Sequence, residues 1–347
     1  MIPGTMKAVV VEAPRKAVVK EVPTPAPAEG EVLIKLEKAL ICTWEQRVFS
    51  GTDMPLPFVP GHEISGVVAS VPENTITGLK PGEKVVVKTF DSCGQCEDCY
   101  RGDDNLCKGK AKKRFYGGIP GSGGFAQYIA IAANRVYRLP NQGVSLETAA
   151  FAEPLACCLR SLEQADIQLG EDVVIVGGGI MGQLHCLLSK LRGGRVILAE
   201  PDKNRRDMAA SLGADVTIDP KTEDSIARIR ELTNGGAHVV FFTVNSLALA
   251  QDYIGALRRK GRLVYYGSFH PKGDIALNPS DIHYGEYAIT GSYSPTVKGF
   301  WTAGRLLSYG LLDPAPFISE RYSIDDCQKA LERAGSFDTY RVLLDLA

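Results

Sequence analysis

The chain has 347 residues, of which 45% are hydrophobic and 23% charged, enough to bury a large core and to favour two domains. Its formal charge of −1 gives no reason to expect nucleic acid or an anionic membrane as a partner, and its apolar runs are too short and too interrupted for a membrane span. Nine cysteines, with nothing resembling an export signal, are expected to be reduced thiols or ligands in a cytoplasmic protein.

In chain order, the first half predicts short strands at residues 6–11, 31–39, 64–71, 83–87 and 126–132, separated by Pro and Gly. Near residue 150 the pattern changes. Apolar strands at 172–176, 195–199, 216–218, 238–243 and 262–267 then alternate with helical segments, and a sixth strand is expected at 287–291. Such alternation predicts a parallel sheet covered by helices on both faces, a doubly wound α/β arrangement. The tail predicts helices at 297–308 and 324–334 and a last strand at 341–344. Local pattern leaves open whether this tail extends the second domain or folds back on the first.

Within the first half, Ser92 to Cys107 places Cys93, Cys96, Cys99 and Cys107 in the spacing C-x2-C-x2-C-x7-C. Four thiolates so close can close a tetrahedral zinc site, with no open position for chemistry, so the expected role is to fold a lobe. The second half carries V-V-I-V-G-G-G-I-M-G, with Gly177, Gly179 and Gly182 in G-x-G-x-x-G spacing between a buried strand and a helix. Ile180 and Met181 open that helix, whose exposed N–H groups suit a pyrophosphate. The next strand ends at Glu200, where an acidic side chain grips adenosine ribose hydroxyls and repels a 2′-phosphate. NAD is therefore favoured over NADP, a preference that Arg205 and Arg206 could soften. Scattered possible ligands remain: Cys42 after a strand, His62 and Glu63 in V-P-G-H-E, and Glu153 in A-E-P-L.

Together these motifs resemble the zinc-dependent medium-chain dehydrogenases, in particular the polyol (sorbitol-type) and threonine dehydrogenase branches. The resemblance spans essentially the whole chain and rests on G-H-E at Gly61–Glu63, the cysteine cluster, Leu169–Gly182, and E-P-L at Glu153–Leu155. It implies a GroES-like catalytic domain from residues 1–153 and 292–347, with a Rossmann domain at 154–291 inserted between. It also implies two zinc ions per chain, one structural on the four cysteines and one catalytic on Cys42 and His62, with Glu63 and Glu153 as ligands or in support. A homodimer or homotetramer joined through the edge strand at 287–291 is implied as well. Zinc lowers the pKa of bound water from about 16 to about 7, and a like shift for an alcohol would be about 12 kcal/mol of differential stabilisation.

One stretch departs from the family. After its cysteine the polyol branch has Gly, then Ser or Thr, then Asp, whereas this chain reads Cys42-Thr43-Trp44-Glu45-Gln46-Arg47. The relay could pass through Thr43, through Glu45 as proton acceptor, or through water alone. Trp44 reads either as core or as a wall of the substrate pocket. Arg47, with Arg114 in another segment, could meet a phosphate or carboxylate on the substrate. The basic run Lys108–Arg114 reads as a solvated loop, and Cys157, Cys158, Cys186, Cys327 and His185 as packing residues. The expected function is NAD-linked oxidation of a secondary hydroxyl of a polyol or sugar derivative. Alternatives are an amino-acid alcohol such as threonine as substrate, and a non-catalytic dinucleotide-binding zinc protein, against which the second, open site argues.

Overall fold

A computed structural model describes residues 1–109 and 113–347. The basic run read as a solvated loop lies in part at residues 110–112, outside the described residues. Two compact units make up the chain. One comprises Met1–Ala156 and Thr296–Ala347, the other Cys157–Pro295. The long helix Ala152–Ala165 carries the chain from the first into the second. No helix among the described residues is long and apolar enough to cross a membrane.

The first unit is built on a seven-stranded sheet. Its strands run in the order Ile318–Ser323, Arg341–Asp345, Glu31–Leu40, Glu63–Ser70, Lys84–Val87 and Val136–Arg138, and Tyr128–Ala132 also pairs with Glu31–Leu40. The tail therefore joins this sheet: Arg341–Asp345 lies antiparallel to Glu31–Leu40, with Leu343 opposite Leu40. Alternation of apolar residues in these strands buries Val32, Ile34, Leu36, Val85, Val87, Val342 and Leu344 in a single cluster with the helix Cys327–Ala334. The strand Ile318–Ser323 escaped sequence reading because I-S-E-R-Y-S is too polar to signal a strand; it sits at the sheet edge, where one neighbour and partial exposure suffice.

The second unit is a six-stranded sheet, parallel throughout, in the order Val216–Ile218, Arg195–Ala199, Asp172–Val176, Ala237–Phe242, Leu257–Tyr265 and Ala288–Gly291. Its central strands are continuous apolar runs because both faces are covered, and Val174, Ile197, Val240, Phe242 and Leu263 lie within one core cluster. The order reverses beside Asp172–Val176, the switch point at which open α/β sheets bind ligands, and the glycine motif follows that strand. Ala288–Gly291 is the edge strand. His185 is a packing residue: burial pushes its pKa down to about 4, and its ring sits against Phe241 and Tyr266 with Nδ1 2.7 Å from the Met181 carbonyl.

Candidate active site

Three strand ends meet in the first unit. Cys42 follows Glu31–Leu40, Glu63 opens the neighbouring strand opposite Leu40, and Arg341 opens the returning C-terminal strand, whose Val342 carbonyl accepts the Ile41 N–H at 2.9 Å. Gly61 supplies the bend before His62. Its φ is +104°, and a Cβ there would lie 2.4 Å from the Phe125 backbone nitrogen. With that bend, Cys42 Sγ, one imidazole nitrogen of His62 and a Glu63 oxygen all fall within 4.8 Å of one another.

Glu45 organises this cluster from behind. The spacing Cys42-x-x-Glu45 forms a capping box at the start of the helix Thr43–Ser50, with Glu45 Oε2 accepting the Cys42 N–H at 3.0 Å. Its other oxygen lies 2.5 Å from His62 Nδ1 and accepts the Gly61 N–H at 3.2 Å. Glu45 is fully buried, and both its oxygens hold partners around the cluster. With Nδ1 turned to Glu45, Nε2 faces the cluster, where a bound cation would take its lone pair in place of a proton.

Glu63 has a partner that sequence reading missed. The Arg341 guanidinium grips both its oxygens, at 2.7 and 2.9 Å, and its Nη2 lies 3.7 Å from Cys42 Sγ. Nothing in R-V-L-L announces this role, because the contact joins residues 278 apart through two strands that each pair with Glu31–Leu40. Glu153, at the start of its helix, brings Oε2 to 3.9 Å from His62 Nε2. Burial, reinforced by Glu63, raises the Cys42 thiol pKa against the pull of Arg341 and His62. Burial works to lower the His62 pKa, but Glu45, Cys42 and Glu153 outweigh it and hold the imidazolium well above its usual range. Glu45, Glu63 and Glu153 are buried against one buried guanidinium and one imidazole. That excess of anionic donors of thiolate, imidazole and carboxylate type suits a divalent, borderline-soft cation.

Around the imidazole the surface is aromatic. Trp44 and Phe90 each place a ring centroid 5.4 Å from that of His62, edge-on, and Trp44 also meets Phe58 at 6.0 Å. Trp44 is half-buried and packs against the core. Thr43 is exposed at the first position of the helix. Arg47 is engaged by Asp53, with Nε 3.0 Å from Oδ2, and Arg114 by Asp91 at 3.1 Å. Each therefore already holds one carboxylate.

The four-cysteine lobe behaves differently. Its sulfurs are 3.6 Å (Cys96–Cys99), 3.8 Å (Cys96–Cys107) and 4.0 Å (Cys93–Cys99) apart. A tetrahedron with zinc–sulfur bonds of about 2.3 Å has edges of about 3.8 Å, so the donor set fits that ion. Backbone N–H groups of Gln95, Cys93 and Gly109 point at Cys93 and Cys107 sulfurs at 3.4, 3.2 and 3.2 Å, as suits thiolates. The lobe is tied inward by Asp104, which pairs with buried Lys88 at 3.0 Å and accepts the Val297 N–H at 2.9 Å.

In the second unit the glycine turn has the geometry of a pyrophosphate cradle. Gly177 has φ +100°, Gly179 caps the helix Ile180–Leu191, and a Cβ on Gly182 would lie 1.9 Å from the Gly177 carbonyl, so helix and strand approach as only glycine allows. Ile180 and Met181 form the first turn of that helix. Glu200 is buried after Arg195–Ala199, one oxygen accepting the Gly178 N–H at 2.6 Å and the other the Asp202 N–H at 2.9 Å. Arg205 lies alongside, its Cβ 3.2 Å from where a Gly178 Cβ would stand, while Arg206 is committed to Asp219 at 2.9 Å.

Two family models match the chain: the alcohol dehydrogenase GroES-like domain over residues 28–141 and the zinc-binding dehydrogenase over residues 181–308. The chain is 29% identical to L-galactonate-5-dehydrogenase of Escherichia coli K12, covering 95% of each. It is 31% identical to sorbitol dehydrogenase of Halalkalibacterium halodurans, covering 94% of each. Among solved structures, a zinc-binding dehydrogenase from Sinorhizobium meliloti 1021 bound to NADP superposes with a TM-score of 0.90 at 28% identity, over 99% of this chain and 100% of that one.

Proposed function

Because the chain belongs to the zinc-binding alcohol dehydrogenases with a GroES-like domain, oxidoreductases that act on CH–OH groups with NAD(P), we propose that it oxidises a secondary hydroxyl of a polyol or sugar derivative, sugar acids included, with NAD. The observation that carries this reading is the buried Cys42–His62–Glu63 donor set, backed by Glu45 and Arg341 and bordered by Glu153. We read the first unit as the catalytic domain and the second as the cofactor domain. The chain holds two zinc ions in this reading, one in the cysteine lobe and one at the buried set. It assembles as a homodimer or homotetramer through the edge strand Ala288–Gly291.

When bound, the second zinc supplies a Lewis acid that eases loss of the hydroxyl proton and, in reverse, polarises a carbonyl. The protein's own residues set up that chemistry. Glu45 holds the His62 proton on Nδ1 and fixes the ring so that Nε2 is free to ligate. Cys42 contributes a thiolate that Arg341 and the cation would sustain against burial. Both Glu63 oxygens are occupied by Arg341, whereas Glu153 faces Nε2, so Glu153 is the better exchangeable carboxylate ligand and Glu63 the charge-balancing support. Trp44 and Phe90 give the substrate an apolar wall and keep bulk water from the imidazole. Trp44 leaves no hydroxyl at the family's relay position, and Thr43 at the exposed helix start, or water, carries the proton outward.

NAD is favoured because the Glu200 carboxylate, anchored by two backbone N–H groups, presents fixed negative charge where a 2′-phosphate would have to sit. The test is turnover of a panel of polyols, sugar acids, phosphorylated polyols and threonine with NAD and NADP, alongside metal analysis. Two zinc ions per chain and NAD-linked oxidation of a polyol or sugar acid are expected. A single zinc per chain that is indifferent to Cys42→Ala would remove the catalytic metal from this reading.

A further inference from the structure

We infer that Gln183 is the positioning residue that sets the selectivity of the cofactor site between NAD and NADP, an inference that rests on the proposed dinucleotide chemistry. Gln183 is the residue directly after the third glycine of the motif, and it is fully buried on the helix Ile180–Leu191. A buried primary amide in that place is unusual on physical grounds, since an apolar residue would pack there without any hydrogen bonds to satisfy. Its Nε2 donates to two backbone carbonyls, that of Gly178 at 3.0 Å and that of Arg205 at 2.9 Å.

The consequence lies in Gly178. Its N–H goes to Glu200 at 2.6 Å and its carbonyl to Gln183, so two side chains hold both polar groups of this residue in one orientation. The second bond of Gln183 reaches the helix Lys203–Ser211 and fixes the gap between the glycine turn and the segment that carries Arg205. Space there is tight: a Cβ on Gly178 would meet Glu200 Cγ at 2.8 Å and Arg205 Cβ at 3.2 Å. Gln183 thereby holds Glu200 on the Gly178 N–H, where its carboxylate can accept a ribose 2′-hydroxyl and exclude a 2′-phosphate. Without the amide, the Gly178 peptide is free to turn, Glu200 loses one of its two anchors, and the gap beside Arg205 can widen. NAD then loses its ribose contact while NADP loses an obstacle.

The experiment compares dissociation constants of NAD and NADP, by cofactor fluorescence, for the zinc-loaded unaltered chain, Gln183→Leu and the length-matched Gln183→Met. Ser189→Ala, a buried polar change further along the same helix, serves as control. Loss of two buried hydrogen bonds predicts NAD binding weaker by about tenfold and NADP binding changed by less than about threefold in the Gln183 variants, with the control unchanged in ratio. Equal weakening of both cofactors, or an unaltered ratio in whichever variant folds by thermal melting, overturns the inference alone. Failure of the unaltered chain to bind either dinucleotide overturns the proposed function with it.

Discussion

The two clusters of metal-type donors in the first unit are built on opposite plans. The cysteine lobe draws its four donors from 15 consecutive residues, with Cys93 exposed. The buried set draws Cys42, His62, Glu63 and Glu153 from three separate segments and surrounds them with Glu45 and Arg341. A closed, local site can be assembled by the loop that carries it. An open site needs outside support, because its donors must stay in place when a ligand position is vacant or exchanging.

The comparison can be broken in graded steps. His62→Ala is expected to lower turnover per folded molecule by about a thousandfold or more, equivalent to about 4 kcal/mol, with a lower melting temperature because buried Glu45 loses its imidazole partner, while the zinc content of the lobe stays close to that of the unaltered chain. Retained turnover would show that the buried set is not the reactive one. Arg341→Ala strands Glu63 as an uncompensated buried anion and should destabilise the chain by about 3–5 kcal/mol in denaturant titration. A loss under about 1 kcal/mol would mean that Glu63 finds another partner. Cys107→Ser should reduce bound zinc from two ions to one and cost about 2–3 kcal/mol of stability, with activity per folded molecule retained. Glu45→Gln keeps the volume but weakens the hold on Nδ1. A fall of about 10–100-fold in metal affinity at the buried site alone is expected, read by chelator competition. Equal loss from both sites would place Glu45 in general stability instead.

The candidate site was legible in proportion to how local it is. The cysteine spacing and the glycine turn could be read directly, because neighbours in the chain become neighbours in space whatever the rest of the fold does. Glu45 left a signal, since Cys42-x-x-Glu45 is capping-box spacing, but that spacing does not say that the second carboxylate oxygen will meet His62. Trp44 left open whether it packs or borders the donor set; it packs against the core with its ring edge-on to His62, a contact that residue order alone does not reveal. The partners of Arg47 and Arg114, Asp53 and Asp91, were not legible, since Asp91 lies 23 residues from Arg114 and neither pairing has a local spacing signal. Ile318–Ser323 was missed because edge strands need little apolar alternation.

Alternating apolar strands, a four-cysteine loop and a glycine turn follow from residue order alone, since side-chain period, ligand spacing and backbone freedom are local properties. Tertiary structure decided what could come only from distant pairing. The C-terminal strand returned to Glu31–Leu40 and carried Arg341 to Glu63, and the turn at Gly61 brought His62 onto Glu45. The physical reason is burial. A carboxylate taken out of water must find a partner wherever the fold can supply one, and separation along the chain places no bound on where that partner lies.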